Sequence, residues 1–200
     1  MQTTGREGSA LRSPTAWVRF AVAIVIGTVL DLTTKAWAQG AFDPESPTRW
    51  AADRVLEFQR HFLCLEFVWQ WNPGAVFGMA EGKTAALVVF NLLALALLVW
   101  LFADSHRSQG FLHLFLSLIV AGALGNLYDR LVYQHVRDFL RFSFRADWVP
   151  WDNGSHYLWP YVINIADVFI TVGVAGLFVI WLVAMIRQRR PQADASPKKS

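Results

Sequence analysis

Four blocks of apolar residues, at about 17–38, 84–103, 111–131 and 161–186, alternate with polar stretches along the chain. Each has the roughly 20 residues that an α-helix needs to cross the hydrocarbon core of a bilayer. The second block carries only Asn91 as a polar interruption. Two longer polar segments, 39–83 and 132–160, read as loops on one side of the membrane, and 104–110 as a short turn on the other. In the first long loop Leu63, Leu65, Phe67, Trp69 and Trp71 share one face at period two, which predicts a strand over 63–71. Asn72-Pro73-Gly74 then predicts a turn. A small sheet resting on the membrane surface is expected, its aromatic face toward lipid or the helices. The second long loop holds His135-Val136-Arg137-Asp138-Phe139 and a Trp-rich stretch with Trp148, Trp151 and Trp159. Residues 1–15 are polar and read as loosely ordered, and 188–200 as a disordered basic tail. The pattern is that of an all-α membrane protein with four transmembrane helices, forming one membrane-embedded domain over 1–200.

Composition fits. Of the 200 residues 54% are apolar and only 16% charged, too apolar for an ordinary soluble domain. Ten Trp and fifteen Phe suit interfacial belts as well as packing. The single cysteine, Cys64, forbids an internal disulfide. The net charge of +3 is modest and the basic residues are dispersed, so no nucleic-acid partner is expected. Arg187, Arg189, Arg190, Lys198 and Lys199 read as an anchor at the cytoplasmic surface. The start of the chain has a rival reading as a secretory leader, with Ala36-Trp37-Ala38 as a cleavage-like site. Asp31 and Lys35 sit badly at the end of such an apolar core. Lys and Arg are denser, for their length, in the N-terminus, the middle turn and the tail than in the two long loops, which places both termini in the cytoplasm.

The polar residues inside the apolar blocks narrow the chemistry. Asp167 lies in the last block, where a carboxylate costs about 2.5–3.5 kcal/mol at mid-helix and is functional by default. Asn164 precedes it by one turn on the same face. Asp31 and Lys35 are one turn apart and read as a structural ion pair that fixes helix packing. Asn126, Asp129 and Arg130 share a face at the end of the third block. On spacing alone Asp129 and Arg130 fit interfacial anchors as well as a site, and Arg130 fits a lipid phosphate. Asp138 alone reads as a solvated loop carboxylate. An even number of spans, however, returns Asp138 and Asp167 to the same membrane face. Two carboxylates converging in a poorly solvated site share a proton, so that one can activate water while the other protonates the substrate. The five histidines (61, 106, 113, 135 and 156) lack ligand spacing, and no serine has a recognisable base partner. No metal or cofactor is expected. The residues alone define an acid-lined membrane site and leave its substrate open. A small proton-coupled transporter, with these charges as a relay, and a non-catalytic binding protein are the other readings.

Five blocks in order resemble one family. Asp31-Leu32-Thr33-Thr34-Lys35, Asn72-Pro73-Gly74-Ala75-Val76-Phe77-Gly78, Gly122 to Leu131 with Gly125-Asn126-Leu127-Tyr128-Asp129-Arg130 at its heart, Val136-Arg137-Asp138-Phe139 and Asn164-Ile165-Ala166-Asp167 are similar to the motifs of the lipoprotein signal peptidases (signal peptidase II), membrane aspartyl proteases of bacteria. The resemblance implies a four-span frame in the bacterial inner membrane with a small extracytoplasmic β-cradle around 63–77. It implies removal of the signal peptide from prolipoproteins that carry diacylglycerol on the lipobox cysteine, with the cut just before that cysteine. It implies Asp138 and Asp167 as the catalytic pair at the extracytoplasmic face. Asn72, Gly74, Asn126, Asp129, Arg130 and Asn164 would shape the site and hold substrate, and Asp31 and Lys35 would support the fold. The expected partners are lipid-modified prolipoproteins and membrane lipids, the expected state is a monomer, and globomycin-type cyclic peptides are expected to inhibit. Pro73, Val76 and Gly78 depart from the usual Thr, Ala and Ser of the second motif, Ala121 from a usual Gly and Ile163 from a usual Phe.

Overall fold

A computed structural model describes residues 8–43, 65–73, 84–142, 159 and 161–189. Its elements are a 3-10 turn at Ala10–Arg12, α1 (Pro14–Phe42), β1 (Leu65–Asn72), α2 (Thr84–Asp104), α3 (Gly110–Tyr133), β2 (Val136–Phe142), β3 (Val162–Ile163) and α4 (Ile165–Arg189). Among the described residues four helices are long and apolar enough to cross a membrane. Their outward surfaces are apolar, with Val25 and Ile26 on α1, Phe90 and Leu93 on α2 and Phe178 and Trp181 on α4 all exposed. The polar groups are turned inward. This inversion is expected where lipid is the solvent.

Helix α3 is the centre of the bundle and packs against each of the other three. Small residues allow it. A Cβ on Gly122 would strike the backbone oxygen of Ala166 on α4, and one on Gly125 would strike the Asp31 carboxylate on α1. The side chain of Ala121 fills the space opposite Gly27. Close approach of this kind lets transmembrane helices gain packing energy without a hydrophobic driving force. Gly122→Val is expected to destabilise the bundle by about 1–3 kcal/mol, the cost of an overpacked contact. Thermal unfolding in detergent reads it, and a variant as stable as the parent would refute the close α3–α4 contact.

The chain is ordered earlier than its polar character predicts. Ser13 caps α1 by accepting a hydrogen bond from the Ala16 N–H, and Pro14 occupies the first helical turn. Residues 8–12 lie against the α2–α3 turn: the Ala10 N–H donates to Ser105 O at 2.8 Å, and the Arg107 N–H to Gly8 O at 2.8 Å. Below them Trp17, Phe20 and Phe102 form an aromatic cluster, with the Phe20 and Phe102 rings stacked at 4.0 Å.

At the opposite end lies a three-stranded antiparallel sheet in the order β1-β2-β3. Sequence periodicity alone expects its first strand. The second lies inside the segment read as a loop, and the third inside the segment read as the start of the last span. Gln134 ends α3 in the left-handed region, at φ 63°, and turns the chain directly into β2. A register shift between Phe67 and Gln70 overturns the expected single apolar face of β1. It places one extra residue on β1, so that Gln70 pairs with Asp138 and Asn72 with Val136. Directly paired residues share a face, and so Asn72 joins Asp138 on one face of the sheet, where an unbroken period of two would have grouped Asn72 apart from Leu65 and Phe67. Bulges commonly re-aim a side chain in this way beside a site. The sheet is seated on the end of α1, where Ala38, Ala41 and Phe42 pack with Phe139 and Leu140.

Candidate active site

Helix α4 begins at Ile165, so Asp167 is its third residue. Counted from the start of the apolar block at about 161, Asp167 would lie about six residues into the helix. The difference arises because Val162 and Ile163 pair as a strand with β2 before the helix starts. Asn164 and Asp167 form a reciprocal cap: the Asp167 N–H donates to Asn164 Oδ1 and the Asn164 N–H donates to Asp167 Oδ2, each at 3.1 Å. The Ala166 N–H, another donor left open by the first turn, donates to Asp31 Oδ1 of α1 at 2.8 Å. Asp167 therefore lies where the helix N-terminus favours a negative charge.

Asn164 also reaches the second acid. Its Nδ2 donates to Asp138 Oδ1 at 2.6 Å and lies 3.2 Å from Asn126 Oδ1. Asn72 Nδ2 donates to the other Asp138 oxygen at 2.9 Å. Asn126 Nδ2 donates to Asp167 Oδ1 at 3.0 Å. One asparagine thus touches both carboxylates, Asp138 through its side-chain amide and Asp167 through its backbone N–H, and every carboxylate oxygen of the pair accepts an N–H. Asp138 is 1% exposed. Burial, and then the charge of Asp167 nearby, push its carboxyl up to about 7, against the opposing pull of the Asn72 and Asn164 donors and of Lys35.

Behind this layer lies an ionic cluster. Lys35 Nζ is 2.8 Å from Asp31 Oδ2, 3.2 Å from Asp129 Oδ2 and 2.8 Å from Asn126 Oδ1. The expected Asp31–Lys35 pair is present, and it joins α1 to α3. Asp129 faces this cluster, where it also takes the Arg137 Nε at 3.0 Å, Nη2 at 2.7 Å and backbone N–H at 3.1 Å. The fork on Asp129 holds β2 against α3 at the residue next to Asp138. Arg137 is further gripped by Gln39 Oε1 at 3.3 Å and by the Tyr133 ring, 4.6 Å from the guanidinium carbon. Neither Arg137 nor Gln39 stands out in the sequence, since a loop arginine is ordinarily solvated and its partners come from two helices, α1 and α3. Arg130 donates to Asn126 O at 3.2 Å and lies within electrostatic reach of Asp167, Asp138 and Asp129. The structure therefore brings together Asn72, Asn126, Asp129, Arg130, Asp138, Asn164 and Asp167, with Asp31 and Lys35 behind them. Gly74 lies outside the described residues.

Comparison with known proteins agrees with this frame. The family model described as signal peptidase (SPase) II matches residues 23–183. The chain is 31% identical over 159 residues to the lipoprotein signal peptidase of Clostridium novyi (strain NT), covering 80% of this chain and 94% of that one. It is 36% identical over 157 residues to that of Sulfurihydrogenibium sp. (strain YO3AOP1), with 76% and 82% covered. A bacterial membrane enzyme solved by the in meso method at 2.3 Å shares the fold, with a TM-score of 0.59, 22% identity and 90% and 93% of the two chains covered. With four membrane-length helices, these likenesses define a multi-pass membrane protease. The chain belongs to the signal peptidase II family.

Proposed function

We propose that this protease removes the signal peptide from diacylglyceryl-modified prolipoproteins, cutting just before the lipidated cysteine, with Asp138 and Asp167 as an acid–base pair that activates water. The observation that carries the reading is the placement of both carboxylates on one asparagine, Asn164, at the sheet-bearing end of the bundle. The pair holds one proton. The ionised carboxylate takes a proton from water as the water oxygen attacks the scissile carbonyl, and the other carboxyl protonates the carbonyl oxygen. Collapse of the tetrahedral intermediate breaks the C–N bond, and a proton passes to the leaving amine, so that peptide and water become an acid and an amine. Neither acid has a permanent role, because each exchanges its proton within one turnover. Asn72, Asn126 and Asn164 orient the pair, and Arg130 faces the site beside them. The sheet end is the extracytoplasmic end of a protein whose two termini lie in the cytoplasm of the inner membrane, where the signal-peptide helix meets the headgroups.

Purified enzyme in lipid nanodiscs is expected to cleave a diacylglyceryl prolipoprotein, to leave the unlipidated precursor intact and to be blocked by globomycin. The mass of the product reports the cut. The rate is expected to fall above about pH 7, where Asp138 loses its proton and the pair keeps no acid. Equal cleavage of the unlipidated precursor would refute the substrate assignment, and a rate independent of pH from 6 to 9 would refute the shared proton.

A further inference from the structure

Lys35 is 0% exposed, and its ammonium nitrogen lies 2.8 Å from Asp31 Oδ2, 3.2 Å from Asp129 Oδ2 and 2.8 Å from Asn126 Oδ1. A lysine that only secured the bundle would need the two carboxylates alone. The third contact falls on the one side chain that carries the network forward to the acids. We propose that Lys35 is a positioning residue for the reaction: its ammonium turns the Asn126 carboxamide so that the acid pair faces N–H donors and not carbonyl oxygens. The proposal rests on the reading of Asp138 and Asp167 as the catalytic pair.

An asparagine side chain has two nearly isosteric orientations, and only its partners decide between them. Lysine donates and never accepts. Asn126 Oδ1 must therefore face Lys35 Nζ, which leaves Nδ2 for Asp167 Oδ1. Asn126 Oδ1 is also within 3.2 Å of Asn164 Nδ2. That contact directs the Asn164 amide nitrogen toward Asp138 Oδ1 and its oxygen toward the Asp167 N–H. Turning Asn126 over would set its NH₂ against the ammonium and its oxygen against a carboxylate. The neighbouring ion pair keeps Lys35 in place. Asp129 Oδ1 takes two guanidinium donors from Arg137, and Asp129 Oδ2 takes the Arg137 N–H beside Lys35. With one N–H on each oxygen of the acid pair, the remaining lone pairs are left for water and the shared proton.

The charged groups around Asp138 come from three helices and its own strand. They are Asp167 of α4, Arg130 and Asp129 of α3, Lys35 and Asp31 of α1, and the adjacent Arg137. Removing Lys35 together with Asp31 takes one cation and one anion from this set and leaves the buried charge balanced. Asn at 31 keeps an acceptor for the Ala166 N–H. The test is therefore the double variant Lys35→Met/Asp31→Asn in nanodiscs, read by kinetics and by the ¹³C-carboxyl titration of Asp138. With the amide free to turn, kcat is expected to fall about 10²-fold, as for a small misplacement of reacting groups. KM is expected to stay within about twofold, because the contacts that are lost lie behind the acids. The Asp138 midpoint is expected to rise by about half a pH unit or more, since an oxygen facing the pair and the loss of a nearby cation both favour the proton.

Asn126→Ala, which leaves the Lys35–Asp31–Asp129 cluster whole, is the second variant: it takes the Nδ2 donor from Asp167, the ionised pair is less well stabilised, and the midpoint of the pair read at Asp138 is expected to rise for that reason. An unchanged midpoint in Asn126→Ala overturns the proposal whether or not the first variant folds. So does a folded Lys35→Met/Asp31→Asn enzyme with parental kcat and midpoint. The titration needs no substrate. A parent enzyme that fails to cleave the lipidated precursor would count against the proposed function, and the titration would still decide the role of Lys35.

Discussion

Asp138→Asn and Asp167→Asn are each expected to lower kcat on a diacylglyceryl prolipoprotein by about 10⁴-fold, the upper range for a group that transfers protons in the transition state. Each acid acts twice in the turnover, first at the water or carbonyl oxygen and then at the leaving amine. An amide of the same shape can do neither. The folded state should survive. Asp138 is buried among neutral amides that can re-pair with an asparagine, and Asp167 lies in the first turn of α4, where asparagine is tolerated. Stability also separates loss of chemistry from loss of fold. The folded state holds the Asp138 proton up to about 7, against an ordinary value of 3.8. Between these values the folded protein binds more protons than the unfolded chain, so stability from this group is full below the lower value and is lost as pH rises toward the upper one. Asp138→Asn removes that slope. Its thermal midpoint in detergent should match or exceed that of the parent at pH 8, with the advantage gone near pH 4. A variant that retains a tenth of parental kcat would refute the assignment of that acid.

The second large effect is on stability. Asp129 is fully buried and accepts from both Lys35 and Arg137. Asp129→Asn is expected to destabilise by about 3–5 kcal/mol, because it leaves a buried cation without its counter-charge. For a chain of this size that is a fall in thermal midpoint on the order of 10 °C. The companion variant Asp129→Asn/Arg137→Gln removes an anion and a cation together and should recover part of the loss. The two single costs should exceed the cost of the double by more than about 1 kcal/mol, as for residues in one network. Simple additivity would show that the two side chains do not depend on each other.

Much of this was legible before any coordinates. The helices were, because a bilayer demands long uninterrupted apolar runs and the chain supplies four. The Asp31–Lys35 pair was, because a separation of four residues places both on one helix face. Asp167 was, because a carboxylate in such a run needs a reason, whereas Asp138 alone looks like a solvated loop carboxylate and is drawn to Asp167 only by the even number of spans and by its motif. The strand β2 was not legible, since its partners β1 and β3 lie far away in the chain and a short segment between turns looks like loop. The bulge in β1 was hidden for the same reason: register is set by the partner strand. A local signal for the true start of α4 was present. Asn164 followed three residues later by Asp167 is a reciprocal-cap pattern, and read as such it marks the helix boundary. Arg137 had no such signal, because Asp129, Gln39 and Tyr133 come to it only through the fold.

The four-residue spacing of Asp31 and Lys35 also has a consequence for how the protein enters the membrane. Synthesis proceeds from the N-terminus, and the first helix must partition into lipid before α3 and α4 exist. An isolated lysine or aspartate would oppose that step by about 2.5–3.5 kcal/mol each near mid-helix. With Nζ and Oδ2 at 2.8 Å across one turn, α1 can enter as a nearly neutral segment. The lysine later finds Asp129 and Asn126 when α3 arrives, and the aspartate finds the Ala166 N–H when α4 does. The pair that closes the back of the finished site would thus also lower the cost of bringing two charges into lipid before their other partners exist.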